Sequence, residues 1–226
     1  MLFSNLVIEI QPTLLISLAL ITCLCVFFVY AGKKIEASNP LEKPKGLVLV
    51  IEFIVDTFTN FFGSILPEKL QKHLVPYFSC IAIYIFLCNT IGLIGLESPT
   101  SNLSITLALG LVTVTMTQLT ALKTKGGFQY IKGLLIPPTN ILGAISPLVS
   151  LSVRLFGNIL SGGILTGLIY AFTGWLSSLI FGFIPIDIIG PPIMAVLHAY
   201  FDLFAGFLQT FIFVTLSSVY ISMEVE

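Results

Sequence analysis

The sequence predicts an all-α membrane protein with five transmembrane helices, the last two of them unusually long, and a cytoplasmic surface helix. Composition is the first reason, because 56% of the 226 residues are hydrophobic and only 9% are charged, against about 25% charged in soluble domains. The second reason is the position of the charges, since every lysine lies between apolar runs. The third is run length, because about 20 apolar residues suffice to cross a bilayer core.

Five apolar runs predict the transmembrane helices of a single membrane domain that covers residues 1–226. The predicted spans are residues 13–31, 77–96, 103–122, 140–172 and 193–223. Each of the last two approaches a length of about 45 Å as a helix, which exceeds the hydrocarbon core. Such helices must tilt, kink or project from the membrane, and length alone does not choose among these outcomes.

Residues 47–66 predict a helix that lies on the cytoplasmic surface of the membrane. Glu52 and Asp56 interrupt this apolar run, and their i, i+4 spacing places both on one helical face. Several phenylalanines supply the apolar remainder, which is typical of an interfacial helix. The alternative is a poorly formed span that contains a buried pair of carboxylates.

The lysines set the predicted orientation. Lys33 and Lys34 follow the first span, and no lysine precedes it. Because positively charged loops stay on the cytoplasmic side, we expect the N-terminus outside and residues 33–75 in the cytoplasm. Five spans then place the C-terminus inside, and they place residues 97–102 and 174–192, which contain no lysine, outside.

Arg154 is the only arginine in the chain, and apolar sequence surrounds it. Asn140 is the expected cap of the fourth span, and counting from there places Arg154 roughly 20 Å into the membrane. An arginine at that depth costs about 2.5–3.5 kcal/mol on insertion scales. It therefore indicates a fixed cation beside an ion path, or a structural residue that snorkels to an interface or pairs with a buried acid.

Two polar stripes follow the last two spans. On the fifth span His198, Asp202 and Gln209 fall within about 40° of one another if the helix turns 100° per residue. The stripe on the fourth span consists of Arg154, Asn158 and Ser161. Polar groups inside a membrane turn toward each other or toward water, so two such stripes indicate a route for protons or cations.

No residue pattern indicates a cofactor, a metal site or a catalytic group. Cys23 and Cys25 point to different sides of a helix, which makes them a poor metal pair. The GxxxxGK[ST] sequence of a phosphate-binding loop is absent, so we expect no nucleotide site in this chain. We also expect neither a nucleic-acid partner nor enzymatic activity of the chain by itself.

Three motifs resemble subunit a of the F-type ATP synthase and occur in the order of that family. They are PTSNLSITLA at residues 99–108, RLFGN at residues 154–158 and QTFIF at residues 209–213. The resemblance covers most of the chain from about residue 75 onward, and the N-terminal third fits by topology and surface helix only. It implies the fold described above, with the last two helices long and steeply tilted.

The resemblance implies a non-catalytic membrane stator that couples ion flow to rotation and ATP synthesis. A ring of c subunits would turn beside it, each with a carboxylate at mid-membrane, and two aqueous half-channels would meet that ring. Arg154 would stand between the half-channels, attract the ionised ring carboxylate and stop protons from passing straight through. Asn158 and Gln209 match family positions near this arginine and the proton path.

The resemblance also implies partners and a location. The partners would be the c-subunit ring, b-type peripheral stalk subunits, the rest of the ATP synthase and the lipid bilayer. The location would be the bacterial plasma membrane, with the mitochondrial inner membrane as the alternative. Ring residues largely decide the ion in this family, so a version that translocates Na⁺ remains the alternative to one that translocates H⁺.

The chain departs from the commonest bacterial pattern of this family at two positions. Gly163 stands nine residues after the arginine, where that pattern has a glutamate. Asp202 stands seven residues before the glutamine, where a histidine is frequent and where mitochondrial relatives carry a carboxylate. This departure makes Asp202 the candidate for the half-channel carboxylate, with His198 one turn away.

Two other classes of function compete with an ATP synthase subunit. A self-contained secondary transporter often shows internal repeats, and five unlike spans without a visible repeat argue against it. A membrane scaffold would instead use Arg154 and Asp202 as a structural ion pair. The two hypotheses differ in the effect of removing a charge. In a scaffold the protein would no longer assemble, whereas in an ion path it would assemble but lose the coupling of ion flow to its function.

Overall fold

The computed structural model of the chain describes residues 11–38, 45–135, 137, 139–182 and 189–225. In this part of the chain the regular structure is helical and no strand occurs, which confirms the predicted all-α class. The helices are α1 (Pro12–Glu36), α2 (Leu47–Gly63), α3 (Glu68–Thr90), α4 (Leu103–Lys125), α5 (Gly127–Leu135), α6 (Thr139–Phe181) and α7 (Gly190–Met223). Two short 3₁₀ turns, Ile91–Ile94 and Pro99–Ser101, lie between α3 and α4.

Five helices of the described chain are long and apolar enough to cross a membrane, namely α1, α3, α4, α6 and α7. Two of them extend well beyond the apolar runs of the sequence. α3 begins at Glu68, nine residues before the predicted start, and α6 continues to Phe181. Hydropathy marks only the apolar part of a helix, whereas its backbone hydrogen bonds continue through polar turns until a stop signal.

α5 is a helix that the sequence analysis did not predict. Gly126 separates it from α4 and has a φ of +79°, a left-handed value that glycine adopts without a steric cost. Asn140, the expected helix cap, instead donates from its side-chain amide to the Gly133 carbonyl over 2.7 Å. This hydrogen bond joins α5 to the start of α6.

α2 packs against α3 through its C-terminal half. Phe62 is completely buried, and its ring stacks on that of Phe78 at a centroid distance of 5.5 Å. Glu52 and Asp56 are both exposed at the surface of the described chain, so they are not buried between its helices. The location of α2 at the membrane surface stays a prediction.

α4 and α6 approach each other closely at Gly110. A Cβ atom added to Gly110 would overlap Oγ of Ser152 and lie 3.3 Å from Cδ1 of Leu148. Ser152 and Leu155 are completely buried in this part of α6. The small size of residue 110 therefore fixes the position of α6 along α4, and the contact residue Ser152 lies only two residues before Arg154.

We expect Gly110→Ala to destabilise the fold by about 1–3 kcal/mol, the usual cost of overpacking a tight site. The measurement is the fraction of the chain that stays in detergent-solubilised complexes after heating. Gly143→Ala on α6 is the matched control, because a Cβ atom added there meets nothing within 4 Å. Equal heat sensitivity of the two variants would contradict a close α4–α6 contact.

Candidate functional site

α6 and α7 form an antiparallel pair, which sets the level of each polar residue along the membrane. A hydrogen bond joins the last turns of α6 to the residue before α7. Further along the pair, a Cβ atom added to Gly162 would lie 3.5 Å from the Phe201 side chain. Eight residues beyond that contact on each helix, or about 12 Å away, Arg154 and Gln209 stand at the same level.

Arg154 is exposed and forms no hydrogen bond or ion pair with any residue that the structure describes. Exposed apolar residues lie around it on α6, among them Val149, Val153 and Leu160. The level of Asp202 differs from that of Arg154 by about 10 Å. The Arg154–Asp202 pair of the scaffold hypothesis is therefore not formed.

The predicted polar stripe of α6 keeps its geometry because α6 is α-helical from Thr139 to Phe181. Asn158 follows Arg154 by one turn and is half-buried, whereas Ser161 is exposed. The Ser161 hydroxyl donates to the Asn158 carbonyl oxygen over 3.0 Å. That hydroxyl is thus bonded to the helix backbone, which leaves the Asn158 amide as the polar group nearest Arg154 along the stripe.

His198 and Asp202 form an ionisable pair on α7. Nδ1 of His198 lies 2.8 Å from Oδ2 of Asp202, and the two side chains are 46% and 20% exposed. Histidine and carboxylate side chains both serve in proton transfer in proteins. Among the described residues, no group of three His, Cys, Asp or Glu side chains is arranged to hold a metal ion.

The segment Ala199–Ala205 of α7 is π-helical. The predicted stripe assumed the 100° per residue of an α-helix, whereas a π turn holds more residues and advances less per residue. The angle between Asp202 and Gln209 around α7 therefore differs from the value expected for an uninterrupted α-helix. π segments inside α-helices are rare and frequently mark functional sites, and Asp202 lies near the middle of this one.

Gln209 is buried, and its Nε2 has no hydrogen-bond partner in the described part of the chain. An unpaired buried amide costs about 1–3 kcal/mol, so a partner or a water molecule at this position would be favourable. Because Gln209 stands at the level of Arg154, its free donors and the free guanidinium lie at the same depth.

A buried hydrogen-bond network, which the sequence analysis did not predict, joins the α3–α4 connection to α7. Oγ1 of Thr100 donates to Oδ1 of Asn89 over 2.9 Å, and Nδ2 of Asn89 donates to the Gly206 carbonyl over 3.2 Å. The hydroxyls of Ser98 and Thr100 lie 2.7 Å apart. An asparagine within an apolar run was the available signal, but its partner on α7 is 117 residues away in sequence.

A cavity of about 580 Å³ opens between α4, α5, α6 and α7, with apolar and polar residues in its lining. Among the lining residues, Nζ of Lys125 lies 2.6 Å from Oε2 of Glu224, and the Tyr130 hydroxyl donates to Oε1 of Gln118. Burial, and then the negative charge of Glu224, raises the pKa of the Tyr130 phenol. The cavity extends along α6 as far as Pro147.

The sequence matches the family model of the ATP synthase A chain over residues 13–222. The ATP synthase subunit a of Mycoplasmoides gallisepticum is 32% identical over 85% of this chain and 71% of the relative. That of Enterococcus faecalis is 32% identical over 94% of this chain and 91% of the relative. The ATP synthase subunit a of Enterococcus hirae is 33% identical over 92% of this chain and 90% of the relative.

These matches span nearly the whole chain, including the N-terminal third in which the motifs gave no signal. The family model begins at residue 13, within α1, and ends at residue 222, near the end of α7. The resemblance that three short motifs suggested is therefore confirmed, and the chain belongs to the family of ATP synthase subunit a.

Proposed function

We propose that the chain is the proton-translocating stator of an F-type ATP synthase, with two aqueous half-channels that meet a ring of c subunits. Membership of the family supports a stator role in ion translocation. The observation that carries the finer proposal is the free guanidinium of Arg154 on an exposed apolar face. A cation inside a membrane needs an anion or water, and a ring carboxylate at mid-membrane would supply the anion.

Arg154 would act on the ring by charge. A cation beside a carboxyl group favours its ionised form, so each ring carboxyl that reaches Arg154 would release its proton. The guanidinium keeps its own charge because arginine side chains stay protonated in proteins. The same residue would therefore bar protons from passing between the half-channels without moving the ring. The free amide of Gln209 at this depth would hold water or the arriving carboxylate.

The half-channels would lie on opposite sides of this level. Asp202 stands about 10 Å from it, and His198 about 16 Å, toward the α6–α7 connection. An exposed histidine beside a half-buried carboxylate would pass protons inward. On the other side, the 580 Å³ cavity reaches Pro147, which is also about 10 Å from Arg154 along α6. The polar residues in its lining, among them Lys125, Glu224 and Gln118, would admit water from the cytoplasm.

The proposed partners are the c ring, which covers the exposed face of α6 and α7, the b-type stalk subunits and the rest of the synthase. The proposed location is the bacterial plasma membrane, since the relatives compared above are bacterial proteins. Isolation of the chain from membranes together with a c ring and an ATPase headpiece tests this assignment. Isolation of the chain free of both would contradict it.

We expect the complex to move H⁺ without any requirement for Na⁺. The ionisable pair His198–Asp202 suits a proton, whereas a hard cation prefers a cage of oxygen ligands. The measurement is ATP-driven acidification of inverted membrane vesicles in a medium free of Na⁺. Acidification that needs Na⁺, or ATP-driven Na⁺ uptake that survives a protonophore, would establish the Na⁺-translocating alternative.

A further inference from the structure

The carboxylate of Asp202 rests directly on Gly92, in the 3₁₀ turn that follows α3. A Cβ atom added to Gly92 would lie 3.0 Å from Oδ2, 3.3 Å from Cγ and 3.6 Å from Oδ1 of Asp202. All three carboxylate atoms thus lie within 3.6 Å of the point where a side chain of residue 92 would begin. The absence of a side chain at this position is what makes room for the carboxylate.

A second contact of the same kind lies one turn along α7. A Cβ atom added to Gly206 would lie 3.0 Å from Cβ of Asn89, and Nδ2 of Asn89 donates to the Gly206 carbonyl. Asn89 is 1% exposed, and Thr100, which donates to its Oδ1, is completely buried. Asn89 is therefore held from both ends of its amide and cannot turn away from α7.

These two contacts bracket the second half of the π-helical segment, since Asp202 lies within it and Gly206 follows its last residue. A π segment differs from an α-helix by one additional residue per turn, so its conversion to α-helix would rotate Asp202 around α7. The hydrogen bond to the Gly206 carbonyl and the approach of Asp202 to Gly92 are both formed with the segment in its π form. Asn89 at the end of α3 and Gly92 in the turn that follows thus contact α7 within, and directly after, the segment that sets the direction of the carboxylate.

We propose that Asn89 and Gly92 are positioning residues that hold the π-helical segment so that the Asp202 carboxylate occupies one fixed place, and that a carboxylate carried by residue 92 can take that same place. The proposal rests on the role of Asp202 in the proton path given above. It adds that the place of the carboxylate, rather than the helix that carries it, is what the path requires.

The test exchanges the two side chains in the assembled synthase. Gly92→Asp combined with Asp202→Gly moves the carboxylate to the opposite side of the same contact. We expect Asp202→Gly alone to lower ATP-driven proton pumping in inverted vesicles at least about tenfold, a change worth about 1.4 kcal/mol. The double variant should recover pumping to within about threefold of wild type, or about 0.7 kcal/mol. Recovery of activity is a readout that general packing damage would not produce.

The matched control is Leu93→Asp with Asp202→Gly, because Leu93 neighbours Gly92 in the same turn and is 48% exposed. This control should pump no better than Asp202→Gly. An assembled exchange variant that pumps only as well as the control would overturn the proposal. Wild-type pumping by Asp202→Gly alone would instead remove Asp202 from the path, which is a failure of the proposed function.

The contact between residues 92 and 202 can also be tested by cross-linking, which does not depend on pumping activity. Gly92→Cys with Asp202→Cys should form a disulfide within the chain on mild oxidation of membranes. The reason is that Cβ of residue 92 would lie 3.3 Å from the position that Cγ of Asp202 occupies now, which suits the geometry of a disulfide. The bond is identified by peptide mass spectrometry, and Leu93→Cys with Asp202→Cys serves as the control. If the exchange variant does not assemble, this measurement decides, and failure to cross-link residues 92 and 202 would overturn the proposal.

Discussion

Arg154→Ala should leave the ATP synthase assembled and stop proton-driven ATP synthesis. Removing one partner of a buried ion pair typically costs about 3–5 kcal/mol, but Arg154 has no such partner among the described residues. The fold therefore loses little when the guanidinium is removed, whereas the ring carboxylate of the proposed mechanism would lose its counterion. We expect synthesis in energised vesicles to fall at least about a hundredfold, or about 2.7 kcal/mol, at an unchanged amount of complex.

Arg154→Lys should restore little of this activity. An ammonium is compact, strongly hydrated and able to lose its proton in an apolar site, whereas a guanidinium stays charged. Val153→Ala is the matched control, since Val153 is the exposed neighbour of Arg154 on α6. ATP synthesis at the wild-type rate in Arg154→Ala membranes would refute the central role of this residue.

Asp202→Asn should lower ATP-driven proton pumping strongly without loss of assembly. Asp202 is the one acid inside the predicted spans, and asparagine keeps its shape while removing its titration. A side-chain amide can still contact His198, so the local packing should persist. We expect pumping in inverted vesicles to fall about tenfold, or about 1.4 kcal/mol. Full pumping by this variant would remove Asp202 from the path.

Gly163→Glu added to Asp202→Asn should restore part of the flux. The resemblance to the family implies a half-channel acid at either position. A Cβ atom added to Gly163 meets nothing within 4 Å, so a glutamate has room. Position 163 lies about 180° around α6 from Arg154, so the new acid would not simply neutralise the arginine. Gly167→Glu, also unobstructed, is the control for added charge. Absence of rescue would reject the exchange and leave Asp202 in place.

The fold class followed from the sequence because it depends on features that are local in the chain. Apolar runs and lysine positions report burial in lipid and orientation, and neither needs a contact between distant residues. Arg154 and Asp202 were found for the same reason, since an ionisable residue inside an apolar run is conspicuous by itself. The motif at residues 154–158 then connected this arginine to a family.

Helix ends, α5 and the π-helical segment did not follow from the sequence. Helix ends lie in polar turns that hydropathy does not register, and α5 is a short segment between two breakers. The π form of Ala199–Ala205 has no hydropathy signature, because the same residues would read as an ordinary apolar helix. The predicted angle between Asp202 and Gln209 therefore rested on an α-helical geometry that α7 does not keep.

By itself, the sequence determined that this is a five-span helical membrane protein with one arginine and one carboxylate within its predicted spans. Only the tertiary structure decided that Arg154 has no partner in the described chain, and that Asp202 rests on Gly92. It also decided that Asn89 bonds the Gly206 carbonyl. The physical reason is that burial in lipid is set residue by residue, whereas each of these contacts, or the lack of one, depends on how separate helices pack together.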